Sequence, residues 1–203
     1  MIKILGLIFL VSCSSLDANG LTLYPMFDRG TPFICTKGTQ AGPGRSHNSK
    51  TSKYAIDLQL KGVSDLLSVF SGTVIAVTHC KNRKSSCGSG YGNFVKILSK
   101  SGYVAFYSHL SKVFVRTGQR VKVGQRIGSQ GKSGHASGPH THFSIHRSWL
   151  DKGIRAHTKS KTLLPKSVNF NLNVCANKSC SSRSIIKASK LTCRMRKLKI
   201  YRF

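Results

Sequence analysis

The nonapeptide GPHTHFSIH, residues 138–146, decides the predicted fold. Its second half alternates polar and apolar residues, and this alternation is typical of a β-strand that buries one face. Side chains two positions apart on a strand share a face and lie roughly 6.6 Å apart along the chain. We therefore expect His140 and His142 to point to one side of a sheet, while Phe143 and Ile145 point into a core.

A second strand pattern, YAIDL at residues 54–58, carries the carboxylate of Asp57 among apolar residues. A lone carboxylate in such surroundings is costly unless it is paired or bound to a cation. His47 lies ten residues earlier, at the edge of a loop rich in Gly, Ser and Lys. A zinc ion bound by His47, Asp57 and one histidine of the 140/142 pair would keep a net positive charge, because only one of these ligands is an anion. They would also leave an open position for water, as catalytic zinc sites require.

The acidic residues narrow the class of hydrolase. The chain contains no glutamate, and its five acidic residues are Asp17, Asp28, Asp57, Asp65 and Asp151. This composition excludes the zinc peptidases with an HExxH helix, which use the glutamate as general base. A metal-assisted hydrolase with this sequence has to take its base from histidine.

Several stretches, in order, resemble the lysostaphin-type zinc endopeptidases that cut peptidoglycan peptides, including the beta-lytic and staphylolytic enzymes. They are H…YAIDL (47–58), SGTVIAV (71–77), YGNFVKI (91–97), YSHL (107–110), VKVGQRIGSQGKSG (121–134) and GPHTHF (138–143). The resemblance covers roughly residues 45–147. It implies an all-β fold in which an antiparallel β-sheet forms a groove.

The resemblance also assigns roles to five residues. It implies that His47, Asp57 and His142 bind one zinc ion per chain. The family's two catalytic histidines fall on His109 of YSHL and on His140. Which of these two is the general base stays open.

The sequence departs from the family pattern at two points. The spacing from the first histidine to the aspartate is longer than in the compact HxxxD form, as in the beta-lytic branch. Thr141 stands where leucine is usual, and we expect it to face away from the metal. His79, His135 and His157 match no motif position and are expected to be structural, while His146 flanks the site one strand repeat beyond His142.

The first residues predict export. A charged start is followed by a short apolar run at residues 4–11, which indicates a signal peptide because eight apolar residues cannot span a bilayer. The sequence LVSC at residues 10–13 resembles a lipoprotein box with Cys13 as the lipidated residue, whereas ordinary cleavage near Ala18 fits as well; both interpretations stay open. The predicted segments are a signal peptide (1–18), an N-terminal extension (19–45), a zinc peptidase domain (46–174) and a basic, Cys-containing C-terminal segment (175–203).

The remaining cysteines form an even set, which in an exported chain predicts three disulfides with fifteen possible connectivities. They are Cys35, Cys80, Cys87, Cys175, Cys180 and Cys193. A local bridge from Cys80 to Cys87 across a hairpin loop is the pairing we predict. A cysteine–zinc site is disfavoured, since no CxxC occurs and the exported compartment is oxidising.

The rest of the chain reads as strands joined by Gly-rich turns. Strands are predicted over Val69–Thr78, Phe94–Leu98, Tyr103–Tyr107 and His142–His146, and one helical turn over Ser111–Val115. No long stretch has the 3.6-residue period of a helix.

The net charge of +28 predicts anionic partners, and the densest basic run is Arg183–Arg202. Such a charge attracts polyanions over long range in a salt-dependent way. For an exported bacterial protein these are teichoic acids, lipopolysaccharide or anionic lipid headgroups. Nucleic acid is the general alternative; it explains neither the histidines nor the cysteines nor the export signal, and we expect no such partner.

These features together predict a secreted zinc metalloendopeptidase that hydrolyses peptide bonds in peptidoglycan stem peptides or cross-bridges. A non-catalytic cell-wall-binding or activator protein on the same fold is the alternative. The sequence does not distinguish glycine bridges from D-Ala–diaminopimelate crosslinks, or the cell's own wall from a foreign one. We expect a monomer that is secreted, periplasmic or attached to the cell envelope, with membrane attachment only through a lipidated Cys13.

Overall fold

The computed structural model describes residues 23–28, 31–37, 47, 52, 55–62, 65–81, 86–147 and 186–187. Within them the chain forms β-strands and one short turn of 3-10 type at Cys87–Gly90. The strands are β1 (Pro32–Lys37), β2 (Ile56–Leu60), β3 (Asp65–Leu67), β4 (Gly72–Thr78), β5 (Asn93–Ser99), β6 (Tyr103–Leu110), β7 (Lys112–Val113), β8 (Arg120–Val121), β9 (Arg126–Ser129), β10 (Thr141–Arg147) and β11 (Ile186–Lys187).

The strands form two antiparallel sheets. The larger has the order β11-β1-β2-β10-β6-β5-β4-β8, and the smaller has the order β3-β9-β7. Strand β10 is therefore central, with β2 on one side and β6 on the other. All β pairings in the described residues are antiparallel, as the sequence predicts.

One face of the large sheet carries the main core. Phe143 and Ile145 of β10 are buried there, together with Leu58 of β2 and Tyr107 of β6. The Tyr107 hydroxyl accepts a hydrogen bond from the backbone N–H of Val69 at 2.9 Å, which ties the segment after β3 to the core. Burial of a large apolar side chain contributes roughly 1.5–3 kcal/mol to the free energy of folding. The apolar face therefore stabilises the sheet, whose other face carries the polar residues.

The opposite face of the three central strands carries polar residues. The register sets His142 of β10 directly opposite Asp57 of β2 and Ser108 of β6. Ser144 and His146 follow on the same strand face, and both are buried. Antiparallel pairing therefore brings residues that are 85 positions apart in the chain into contact.

The all-β fold is confirmed, and the helical turn expected at Ser111–Val115 is wrong. Lys112 and Val113 instead form β7, which pairs with β9. The backbone N–H of Phe114 donates to the carbonyl of Ile127 at 3.0 Å, so cross-strand bonds take the place of the helical ones. The run Val-Phe-Val at 113–115 is also rich in the β-branched and aromatic residues that favour strands.

Strand β1 lies in the expected N-terminal extension and β11 in the basic C-terminal segment, and the two pair with each other. Both flanking segments thus contribute strands to the large sheet. The signal peptide (1–18), with Cys13, and most of residues 148–203 lie outside the described residues.

Candidate metal centre and active-site cleft

Three side chains converge above the centre of the large sheet. The Nδ1 atom of His142 lies 3.0 Å from Oδ1 of Asp57, and Nε2 of His47 lies 3.2 Å from the same oxygen. The two ring nitrogens are 3.2 Å apart. Sequence reasoning named these three residues as a ligand set, and the fold brings them together.

The geometry of this cluster fits a single zinc ion. Zinc binds histidine nitrogen and carboxylate oxygen at about 2.0–2.2 Å, so the ligand atoms of a tetrahedral site lie roughly 3.3 Å apart. The three donor atoms show separations of 3.0–3.2 Å. His47, Asp57 and His142 expose 1%, 5% and 5% of their surface, which leaves few competing positions for water. The residues present therefore suit a small divalent cation.

The electrostatics of the cluster favour the protonation states that metal binding needs. Burial alone would raise the pKa of Asp57, but its hydrogen bonds with His142 and His47 hold that pKa well below the ordinary value. Burial lowers the pKa of His142 and so favours the neutral imidazole. An ionised carboxylate and a neutral imidazole are the forms in which these side chains bind metals.

His140 and His109 stand beside the cluster. The Nδ1 atom of His140 donates to the carbonyl of Gly138 at 2.9 Å, and its Nε2 atom lies 3.8 Å from Oδ2 of Asp57. The Nδ1 atom of His109 donates to the carbonyl of Ser133 at 2.8 Å. With Nδ1 committed as donor, each neutral ring keeps its lone pair on Nε2. The two ring centroids are 4.7 Å apart.

His109 occupies a strained backbone position. Its φ angle is +62°, a left-handed conformation that costs a non-glycine residue about 1–3 kcal/mol. The pairing of β5 with β6 shifts by one residue beside it, which marks a β-bulge. The N–H of His109 donates to the carbonyl of Tyr91 at 2.9 Å. The bulge turns this histidine out of the regular ladder of β6 towards the cleft.

Two glycine-containing loops hold this conformation. A Cβ atom on Gly92 would lie 2.3 Å from the Ser133 hydroxyl, and one on Gly134 would lie 2.3 Å from the backbone nitrogen of Gly92. The loops that follow the Cys87–Gly90 turn and β9 therefore meet backbone to backbone. This close approach delivers the Ser133 carbonyl to His109.

A cleft of about 840 Å³ lies over the five residues. Its walls also include residues that sequence reasoning did not assign to the site: Thr36, Gln59, Ser89, Tyr91 and His135. The Tyr91 ring stands 5.3 Å from the His142 ring and 6.2 Å from the His109 ring, measured between centroids. Burial, followed by the charge of Asp57, raises the pKa of Tyr91.

The other histidines fall in different places. His79 is exposed at the end of β4 and does not line the cleft. His135 was expected to be structural, yet its side chain is exposed on the cleft wall. Its backbone N–H donates to the carbonyl of Gly90 at 2.7 Å. His146 is buried and lies 2.8 Å from the Ser144 hydroxyl, while His157 lies outside the described residues.

Two smaller expectations can also be compared with the structure. Thr141 is fully buried on the side away from the cluster, and its hydroxyl has no hydrogen-bond partner among the described residues. The Cys80–Cys87 disulfide is present. It joins the end of β4 to the turn that leads to Tyr91. Cys175, Cys180 and Cys193 lie outside the described residues, so their pairing stays a prediction.

The sequence matches the family described as peptidase family M23 over residues 51–156. It is 28% identical over 165 residues to an uncharacterized metalloprotease of Buchnera aphidicola subsp. Baizongia pistaciae, covering 77% of this chain and 41% of that protein. It is 40% identical over 72 residues to the peptidoglycan DD-endopeptidase ShyC of Vibrio cholerae, covering 36% of this chain and 17% of that protein. The chain thus spans less than half the length of these relatives.

The fold is similar to the solved structure of the antimicrobial peptidase lysostaphin from Staphylococcus simulans. The TM-score is 0.50 at 22% identity, over 66% of this chain and 48% of that one. This similarity confirms the lysostaphin-type fold.

Proposed function

The chain belongs to peptidase family M23, and from this membership we propose that it is a zinc endopeptidase that hydrolyses peptide bonds in peptidoglycan. The observation that carries the proposal is the convergence, in one cleft, of a His–Asp–His donor cluster with two further histidines. A relative named as a peptidoglycan endopeptidase supports the substrate class.

His47, Asp57 and His142 would hold the zinc ion through the three atoms that already converge. When bound, zinc acts as a Lewis acid on the scissile carbonyl and lowers the pKa of a water ligand. The ligand set leaves one of four positions for water or substrate, as in catalytic zinc sites. All three side chains line the cleft, so a metal ion that they held would be accessible to a substrate bound there.

His109 and His140 supply proton transfer in this proposal. One accepts a proton from the attacking water at Nε2, and the other, when its ring is protonated, donates from Nε2 to the oxyanion that develops on the substrate carbonyl. Burial and the neighbouring His140 lower the pKa of His109 to about 4, so its imidazole is neutral and able to accept a proton near pH 7. The hydrogen bonds from Nδ1 to Ser133 and Gly138 fix both rings for these roles.

The site of action we propose is outside the cytoplasm, where peptidoglycan lies. The apolar run at residues 4–11 supports export. In the part of the chain that the structure describes, no helix is long and apolar enough to cross a membrane.

Release of soluble fragments from purified peptidoglycan tests the function. We expect wild type to release them and His109→Asn to do so about 10²–10⁴-fold more slowly, because a positioned acid or base is lost. Asparagine tolerates the left-handed backbone of this position better than alanine does. His79→Ala removes an exposed histidine outside the cleft and should leave the rate unchanged.

Unchanged turnover in His109→Asn would exclude the catalytic role of His109. Wild-type protein that binds peptidoglycan without cutting any peptide bond in it would instead support the alternative of a non-catalytic wall-binding protein.

A further inference from the structure

A second cleft, of about 670 Å³, lies beside the catalytic one. Gly134 and Ala136 line both clefts, so the loop that supports His109 forms the boundary between them. A peptide that extends past this loop from the catalytic cleft can therefore reach the second one.

The polar groups on the floor of the second cleft are engaged inside the protein. The Asn93 side chain accepts the Cys80 N–H at 2.6 Å and donates to the Leu110 carbonyl at 2.9 Å. The Ser133 hydroxyl accepts the Asn93 N–H at 2.8 Å and donates to the same carbonyl at 2.7 Å. This network makes the floor rigid and leaves charge recognition to the rim.

Two exposed lysines, Lys81 and Lys132, supply the charge that lines this cleft. No carboxylate lines it, and neither lysine forms an ion pair within the described residues. A rigid polar floor with a cationic rim suits a carboxylate on an extended ligand.

We propose that the second cleft is a substrate subsite in which Lys81 and Lys132 bind a free carboxylate of the peptidoglycan peptide. The inference rests on the proposed function and deepens it, because it selects acidic stem peptides over their amidated forms. Lys81 and Lys132 act here in substrate binding, away from the bond that is cut.

Two synthetic cross-linked stem peptides test the subsite: one carries free carboxylates, and the other carries carboxamides at the same positions. The Lys81→Gln/Lys132→Gln double variant removes both rim charges. The Lys100→Gln/Lys122→Gln variant removes the same charge from exposed lysines that line neither cleft. Cleavage rates give kcat and KM for each combination of protein and peptide. Equilibrium binding is measured by fluorescence anisotropy in the His109→Asn background, in which hydrolysis is slow.

We expect wild type and the control to prefer the acidic peptide by roughly 3- to 10-fold, as two exposed charge pairs allow. The preference should lie in KM and in binding, and the rim variant should lose it with kcat unchanged. Equal preference in the rim variant and the control, or no preference in wild type, would overturn the subsite. If no protein cuts either peptide, the proposed function fails, while the anisotropy preference still decides whether the cleft binds carboxylates.

Discussion

At the scale of single residues, His109 combines a left-handed backbone with a buried imidazole. The φ angle of +62° is maintained by hydrogen bonds with Tyr91 and Ser133 on two different loops. Strained positions of this kind cost stability and persist where the surrounding structure over-determines them. Here the strain points a histidine at the donor cluster of His47, Asp57 and His142.

The lowered pKa of His109 predicts a pH dependence of stability. In the folded protein this pKa is about 4, whereas an unfolded histidine titrates near 6.5. Between these values the unfolded chain binds more protons at this position, so the free energy of unfolding falls as the pH drops from about 6.5 to 4. In zinc-free protein, the free energy of unfolding should therefore fall by roughly 2–3 kcal/mol less in His109→Asn than in wild type over this pH range.

Urea unfolding of wild type and His109→Asn at a series of pH values between 7 and 4 measures the effect. Parallel stability curves for the two proteins over this range would contradict the lowered pKa.

At the residue scale, the sequence predicted the positions of the candidate ligands on strands better than it predicted the walls of the cleft. Alternation placed His140 and His142 on one face, and the solitary charge of Asp57 marked its strand. His47 lies in no strand pattern; it was proposed from its place ten residues before Asp57, and the family resemblance then assigned it as a ligand. Tyr91 and His135 were not recognised as site residues, because they reach the cleft only through the contact of two loops at Gly92 and Gly134.

At the scale of elements, the turn between β4 and β5 supports the sheet face that carries the proposed catalytic site. The Cys80–Cys87 disulfide closes this turn at its base. The same turn delivers the Tyr91 carbonyl to the His109 N–H. The proposed zinc ligands on β2 and β10 do not depend on this turn for their register.

Removal of the disulfide should therefore separate catalysis from metal binding. We expect Cys80→Ser/Cys87→Ser to lose about 2 kcal/mol of unfolding free energy, since a short loop is no longer closed in the unfolded chain. Turnover on peptidoglycan should fall, while zinc content stays at the wild-type level. Ser86→Ala, a substitution in the same turn, is the control.

Denaturant titration, turnover and metal analysis of the two variants and wild type measure these effects. Cys80 that reacts with alkylating agents in non-reduced wild type, or a double variant with wild-type stability, would show that the bridge does not support the site.

The sequence predicted the ends of strands and the short strands less well than the main strands. The strand expected from Val69 begins only at Gly72, because the preceding residues turn and the Ser68 hydroxyl bonds to the Phe70 carbonyl at 2.6 Å. The short strand β7 lacks a periodic pattern of its own and exists because β9 pairs with it. Pairing between distant segments decides such elements, and local sequence does not encode it.

At the scale of the whole molecule, positive charge is the dominant property. The chain carries 33 Lys and Arg against five acidic residues. One lysine, Lys96, is fully buried with its ammonium 5.7 Å from the centre of the Phe106 ring, an arrangement that charge counting could not predict. The densest basic run, Arg183–Arg202, carries eight Lys and Arg and contains strand β11.

We predict that this run concentrates the enzyme on anionic wall or outer-membrane polymers. The variant should neutralise seven of the eight cations and retain Lys187, which lies in β11, and Cys193. The changed residues are Arg183, Lys190, Arg194, Arg196, Lys197, Lys199 and Arg202, each to Gln. Binding to whole cells should weaken, by 10-fold or more in favourable conditions. Its dependence on salt concentration should also become smaller.

Cleavage of a small soluble peptide should be unchanged in this variant, since the peptide does not need long-range attraction to a surface. Cell pull-down across a salt series, together with peptide kinetics, measures the two effects separately. Equal losses of cell binding and peptide cleavage would mean that the charged run stabilises the fold and does not serve to bind the protein to the wall.

The central claim is that His47, Asp57 and His142 hold one zinc ion on the functional face of the sheet. Elemental analysis of metal-replete protein tests it most directly, with His142→Ala as the probe and His135→Ala, an exposed cleft histidine, as the matched control. We predict one zinc per chain in wild type and in the control, and loss of zinc in His142→Ala. Full zinc occupancy in His142→Ala, or none in wild type, would contradict the claim.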